Sequence, residues 1–190
     1  ILTDYYNHVK SINSNAYVIL EHFADNNEET VLANTGMMLW GNMDEQFKQV
    51  VLGFQNSSDF SWAHHGRRGW NYPNCVAFME SHDEERQMYE AITYGNSQGD
   101  YSIRDTLTAI QRMEMANVLM FAVPGPKMMW QFAELGYDYS IMHGGDRTFP
   151  KPPRWDYNLQ PNRKKLFRVV SAIIDLQKSE AFRSGQFTYD

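Results

Sequence analysis

Cysteine, positive charge and long apolar runs are all scarce in this chain, and each scarcity removes a class of protein. Cys75 is the only cysteine, so no intrachain disulfide can form and a disulfide-stapled scaffold is excluded. Its place inside an apolar run predicts a buried thiol. No apolar stretch approaches the roughly 18 residues that a membrane helix requires, so no membrane span is expected. Lys and Arg number 17 against 23 Asp and Glu, a net charge of -6. That balance argues against a nucleic-acid partner or an anionic membrane surface. Repeats, low-complexity segments and interdomain linkers are also missing, and 190 residues suit one domain with a sizeable core.

Metal motifs are equally sparse. His64 and His65, with His22, His82, Glu84 and Glu85, offer ligand types but no His-Glu-x-x-His and no paired zinc spacing. These histidines read better as surface or sugar-binding groups. The acids and amides from Asp25 to Glu29 lack the alternating oxygen ligands of an EF-hand loop, and read as a solvated helix start. No cofactor is required by any motif, and a structural calcium has no clear motif behind it.

Aromatic residues are abundant at 14%, with five tryptophans. That suits either a large core or stacking on the apolar faces of sugars. Trp62, Trp70, Trp130 and Trp155 are the candidate platforms.

The apolar patterning alternates strands with helices. A helix is expected from Leu2 to Val9, and an opening at Ile1 inside a helix suggests a piece of something longer. Ala16–Leu20 reads as a buried strand ending in Glu21, and Met37–Trp40 as a second strand. Met43–Phe54 has helical spacing through Phe47, Val50, Val51 and Phe54. The long polar stretch from Gln55 to Asn74 has the size of a functional loop. Cys75–Phe78 is a short apolar run behind Pro73-Asn74, the pattern of a buried parallel strand. A polar loop is expected from there through Gly99. A helix from Ile103 to Ala122 comes next, capped by Asp100 or Ser102 and stopped by Pro124-Gly125-Pro126. Met128–Trp130 reads as a last strand, and Leu166–Leu176 as an amphipathic helix. Such alternation predicts a parallel sheet with helices outside it.

The chemistry gathers in Phe78-Met79-Glu80-Ser81-His82-Asp83-Glu84-Glu85-Arg86, where titratable groups crowd the carboxyl end of a strand. On this stretch alone, helix capping by Asp83 and catalysis are equally good readings. Further matches appear in order along the chain. Phe78, His82 and Asp83 resemble the F-x-x-x-H-D strand motif of glycoside hydrolase family 13, the α-amylase superfamily. Tyr17–Glu21 resembles that family's fifth barrel strand, and Pro124–Gly136 its eighth. Lys151–Asp156 and the helix ending near Ser184-Gly185 are similar to the family's segment after the eighth strand. The spellings around Glu21 and Asp83 are most similar to amylase and branching-enzyme relatives of Bacteroidetes type.

The resemblance implies the second half of a TIM (β/α)8 barrel, strands five to eight. Residues 1–190 would then be a partial catalytic domain lacking strands one to four. It implies a retaining glycosidase or transglycosidase acting on α-glucans such as starch, glycogen or maltooligosaccharides. Glu21 would be the general acid, and Asp83 would stabilise the oxocarbenium-like state. His82, Arg86 and Trp130 would bind substrate, with an ion pair at a helix start the leading role for Arg86. The family nucleophile sits in a Gly-Phe-Arg-x-Asp type segment, and none occurs here. The chain alone is therefore expected to be inactive, and to self-associate or dock on the remainder of its parent. By the same analogy the parent is secreted or periplasmic. A non-catalytic glucan-binding barrel protein and a metal-dependent hydrolase on a similar barrel are the alternatives.

Overall fold

The computed structural model describes residues 1–189. The chain is an α/β protein whose principal sheet has three parallel strands. These are β1 (Ile19–Leu20), β2 (Met38–Asn42) and β3 (Cys75–Phe78), in spatial order β1-β2-β3. Leu20 pairs with Leu39, and Trp40 with Val76, so the register runs unbroken across the sheet. Helix α1 (Leu2–Ile12) precedes the sheet, α2 (Asn26–Thr35) joins β1 to β2, and α3 (Asp44–Leu52) leaves β2. After β3 come α4 (Gln87–Tyr94), a small antiparallel hairpin of β4 (Ser97–Gln98) and β5 (Tyr101–Ser102), and α5 (Thr106–Ala122). Helices α6 (Pro161–Leu176) and α7 (Glu180–Ser184) close the chain.

All four residues of β3 are buried, as an apolar run with a neighbour on each side requires. On one face of the sheet Leu39, Cys75 and Ala77 join Phe47, Val51, Met88, Ile110, Met113 and Leu166 in a single core. Helices α3 to α6 supply most of that core and pack against one another. On the other face Trp40 and Phe78 meet edge to face at 5.8 Å and line an open cleft. One side of the sheet thus builds stability and the other faces a site.

The half-barrel expectation is overturned. Among the described residues there are three parallel strands, a separate two-stranded hairpin and no barrel closure. The expected last strand, Met128–Trp130, contributes one bridge, Ala77 with Lys127. Its ladder consists of Ala77 N–H donating to Pro126 O and Met128 N–H donating to Ala77 O. Pro124 and Pro126 have no amide hydrogen to extend pairing. Beyond Trp130 the chain turns through Phe132 at φ 64° into a 3-10 turn, Ala133–Leu135. At the other edge β1 is two residues long rather than five, and it is not the buried strand expected, since Tyr17 and Ile19 are both exposed. Closing a barrel requires every strand to be paired on both sides.

Two helix details also differ. Helix α4 occupies part of the expected polar loop, and its apolar face was disguised by Gln87. That side chain is fully buried, donating to Met79 O at 2.8 Å and to Asp44 Oδ1 at 2.9 Å. Helix α5 begins after Asp105, whose Oδ1 accepts from the amides of Leu107 and Thr108. Asp100 and Ser102 are instead spent in the hairpin, where Gly99 takes φ 58° in the connection. The Gln55–Asn74 segment is largely exposed but is pinned to the core by a few buried side chains. Trp70 is buried and donates to Asn26 Oδ1, and Arg68 lies between the Trp62 and Trp70 rings while pairing with buried Glu29. Cys75 is buried, as its apolar run predicts.

Candidate functional site

The loops at the carboxyl ends of β1 and β3 converge, since both strands run parallel and flank β2. Glu21 follows β1 directly, and Ser81-His82-Asp83-Glu84 follow β3. A carboxylate oxygen of Glu21, a ring nitrogen of His82 and a carboxylate oxygen of Asp83 lie within 4.8 Å of one another. These groups border a 310 Å³ cleft floored by Phe78, Trp40 and Met128 and walled by Phe23 and Trp130. Small-molecule sites share that plan, with apolar walls and a few converging polar groups.

The backbone at the cleft is held in unusual conformations. Phe23 has φ 45° and Phe132 φ 64°, both in the left-handed region that costs a bulky side chain about 1 kcal/mol or more. They flank the site from two directions, Phe23 just after Glu21 and Phe132 just after Trp130-Gln131.

Asp83 does not cap α4. The residue at that position is Arg86, whose side chain makes no cap hydrogen bond, and the first helical amide, that of Gln87, donates to Glu80 Oε2 at 2.8 Å. Asp83 is held instead by Arg147, whose Nη2 donates to Asp83 Oδ1 at 2.6 Å and to its backbone carbonyl at 2.8 Å. His82 lies 3.6 Å from Asp83 Oδ2, and its ring sits 5.9 Å from that of Trp130. Glu84 is occupied structurally, accepting from Ser81 Oγ and, at 2.6 Å, from Asn42 Nδ2. Glu85 accepts from Ser140 Oγ and the Ile141 amide at 2.7 Å each, which ties the 140s loop to the end of β3.

Arg86 is buried. Its guanidinium lies over the rings of Trp130 and Tyr137 and approaches Glu80 at 3.4 Å. Burial pushes the Glu80 carboxyl above its ordinary range, and Arg86 only partly offsets this. The ion pair at a helix start expected for Arg86 is therefore present, yet the same side chain also lines a second lobe beside the cleft. Trp130 borders both lobes and a shallow groove that runs on to Trp155. Of the four candidate platforms, Trp130 and Trp155 border these clefts.

Glu21, His82, Asp83, Arg86 and Trp130 thus surround one place in the fold. The histidines considered with them do not join it. His64 and His65 pack on each other, and His22 bonds Glu28 at 2.9 Å. Asp25 and Glu28 mark the start of α2, with Glu29 turned inward to Arg68.

Arg147 and Lys151 belong to the site and were not anticipated. The length of the Ser140–Pro161 loop and its Gly144-Gly145-Asp146-Arg147 run were the available signals. No helix among the described residues is long and apolar enough to cross a membrane. Neither the comparison with protein-family models nor that with curated proteins found a match to the chain.

Proposed function

We propose that the cleft handles α-glucans as part of a retaining glycosidase or transglycosidase site. The supporting observation is the convergence of Glu21, Asp83 and His82 at the carboxyl ends of parallel strands, over a floor of aromatic rings. In this reading Glu21 protonates the leaving glycosidic oxygen. Asp83, oriented by Arg147, grips sugar hydroxyls and opposes the positive charge that develops at the anomeric carbon. His82 donates to the same sugar, and Trp130 stacks on its apolar face. Retaining cleavage also needs a carboxylate nucleophile. The resemblance places it in a segment that these residues do not contain, so the chain alone should bind glucan without cleaving it.

Maltoheptaose titrated against tryptophan fluorescence tests the binding half. Saturable quenching that weakens about tenfold in Trp130→Ala and in His82→Ala is expected. No saturable binding at millimolar ligand, or wild-type affinity in both variants, refutes the reading. The free outer edge of β1 and exposed Tyr17 and Phe23 support association with a second copy, which light scattering at micromolar protein would detect.

The same three side chains also support a divalent-metal reading, since each offers a ligand atom to a shared point. The Arg147 contact weighs against it, because a fixed guanidinium on Asp83 Oδ1 repels a cation at the neighbouring Oδ2. Manganese or zinc titration decides: stoichiometric binding lost in His82→Ala favours the metal.

A further inference from the structure

The cleft has two lobes of opposite electrical character. Glu21, Asp83 and Glu84 line the first, which has no Lys or Arg among its lining residues. Arg86, Arg147 and Lys151 line the second, which has no Asp or Glu. The two share Ser81, His82 and Trp130, so a ligand stacked on Trp130 meets both. A cationic lobe on a chain of net charge -6 has no evident use for an uncharged glucan.

The three cations are held in place by the fold. The Arg86 side chain is 8% exposed and sandwiched against Trp130 and Tyr137, with Glu80 at 3.4 Å. Arg147 spends Nη2 on Asp83, while its Nε and Nη1 have no hydrogen-bond partner among the described residues. The Lys151 ammonium donates to the carbonyls of Asp146, Arg147 and Phe149 at 3.2, 3.1 and 2.7 Å, which uses its three N–H donors and fixes it as a point charge near the Asp146 carboxylate. Planar guanidinium groups flanking an ammonium suit a phosphate, which can accept bidentate bonds and carries up to two charges. The lobe measures 220 Å³. That is below the ~300 Å³ at which pockets usually enclose a whole small molecule, so it fits a substituent rather than a separate ligand.

We propose that the second lobe is an anion subsite that receives a phosphate monoester carried on the saccharide stacked against Trp130. The saccharide half rests on the glucan reading, whereas the phosphate half rests on the lobe alone. Arg86 sets the depth of the subsite, and Arg147 links it to Asp83, so the charged substituent and the reacting carboxylate share one positioning side chain.

Isothermal titration at low ionic strength with glucose, glucose 6-phosphate and inorganic phosphate tests this. Glucose 6-phosphate should bind at least about tenfold tighter than glucose, consistent with charge-assisted hydrogen bonds, and the advantage should shrink with salt. Lys151→Met and Arg147→Gln alter side chains outside the core, so both variants should stay folded by circular dichroism while losing most of that advantage. Equal binding of glucose and glucose 6-phosphate overturns the proposal, as does an advantage that survives in the double variant. Inorganic phosphate binding as tightly as glucose 6-phosphate overturns the coupling to the sugar. Maltoheptaose titrations on the same variants keep the tests apart, because failure of glucan binding leaves the phosphate comparison to stand or fall alone.

Discussion

Replacing Asp44 by Asn should stabilise this protein near neutral pH and leave it unchanged or weaker in acid. Asp44 opens helix α3 beneath the site, where its Oδ1 accepts from Gln87 and Lys48 lies 3.3 Å from Oδ2. Burial dominates its titration, with Glu84 and Glu45 adding repulsion and Lys48 opposing them, and the carboxyl is pushed up from 3.8 to about 6. A native value above the unfolded one means that the folded chain holds this proton more tightly. The group's contribution to stability is then fully present below about pH 4, and is lost as pH rises through about 6. At about 1.4 kcal/mol per pH unit, ionising it in the native state costs roughly 3 kcal/mol at neutral pH. Asparagine keeps the acceptor for Gln87 and removes the charge, and the lost Lys48 attraction needs no separate deduction because the raised value already contains it. The net gain should be about 3 kcal/mol at pH 7.5, or roughly 6–12 °C in Tm for a domain of this size. Urea unfolding of both proteins from pH 4 to pH 8 measures the difference directly, and titrations common to the two cancel. A stability difference that is flat with pH would refute the assignment.

Four further outcomes are expected. Arg68→Met strands Glu29 in the interior and should cost about 3–5 kcal/mol, read by denaturant unfolding. In contrast, Asp156→Asn at the Arg154 pair should leave the unfolding midpoint essentially unchanged in the same assay. Gly41→Ala would place a Cβ 2.4 Å from Cys75 Sγ between two paired strands, and urea unfolding should show a loss of about 1–3 kcal/mol through overpacking. Asp105→Ala removes the α5 cap and should lower stability by about 1 kcal/mol, with a Tm fall of about 2–4 °C by calorimetry.

The sequence by itself determined local features. Cys75–Phe78 read as a buried strand, because four consecutive apolar residues between turn formers have no solvent-facing side to offer and are too few for a helix. The helical spacing through Phe47, Val50 and Val51 and through Ile110 and Met113 likewise marked core positions of α3 and α5, whereas Phe54, Leu107 and Val118, read on the same faces, are exposed. Placing Glu21 and Asp83 at strand ends also came from those runs. The tertiary structure decided everything that depends on distant partners. Whether Met128–Trp130 becomes a strand depends on neighbours that the run itself does not specify, and pairing stopped at Lys127. Gln87 looks like a loop residue until Met79 and Asp44 are brought to it. Arg147 reaches Asp83 across 64 residues of chain, and Glu85 reaches Ser140 across 55. No periodicity records such contacts, because hydrophobic patterning reports which side of an element is buried and not which loop will lie over its end. The acidic lobe was therefore legible in strand-end residues, and the basic lobe appeared only when the 140s loop folded back over the sheet.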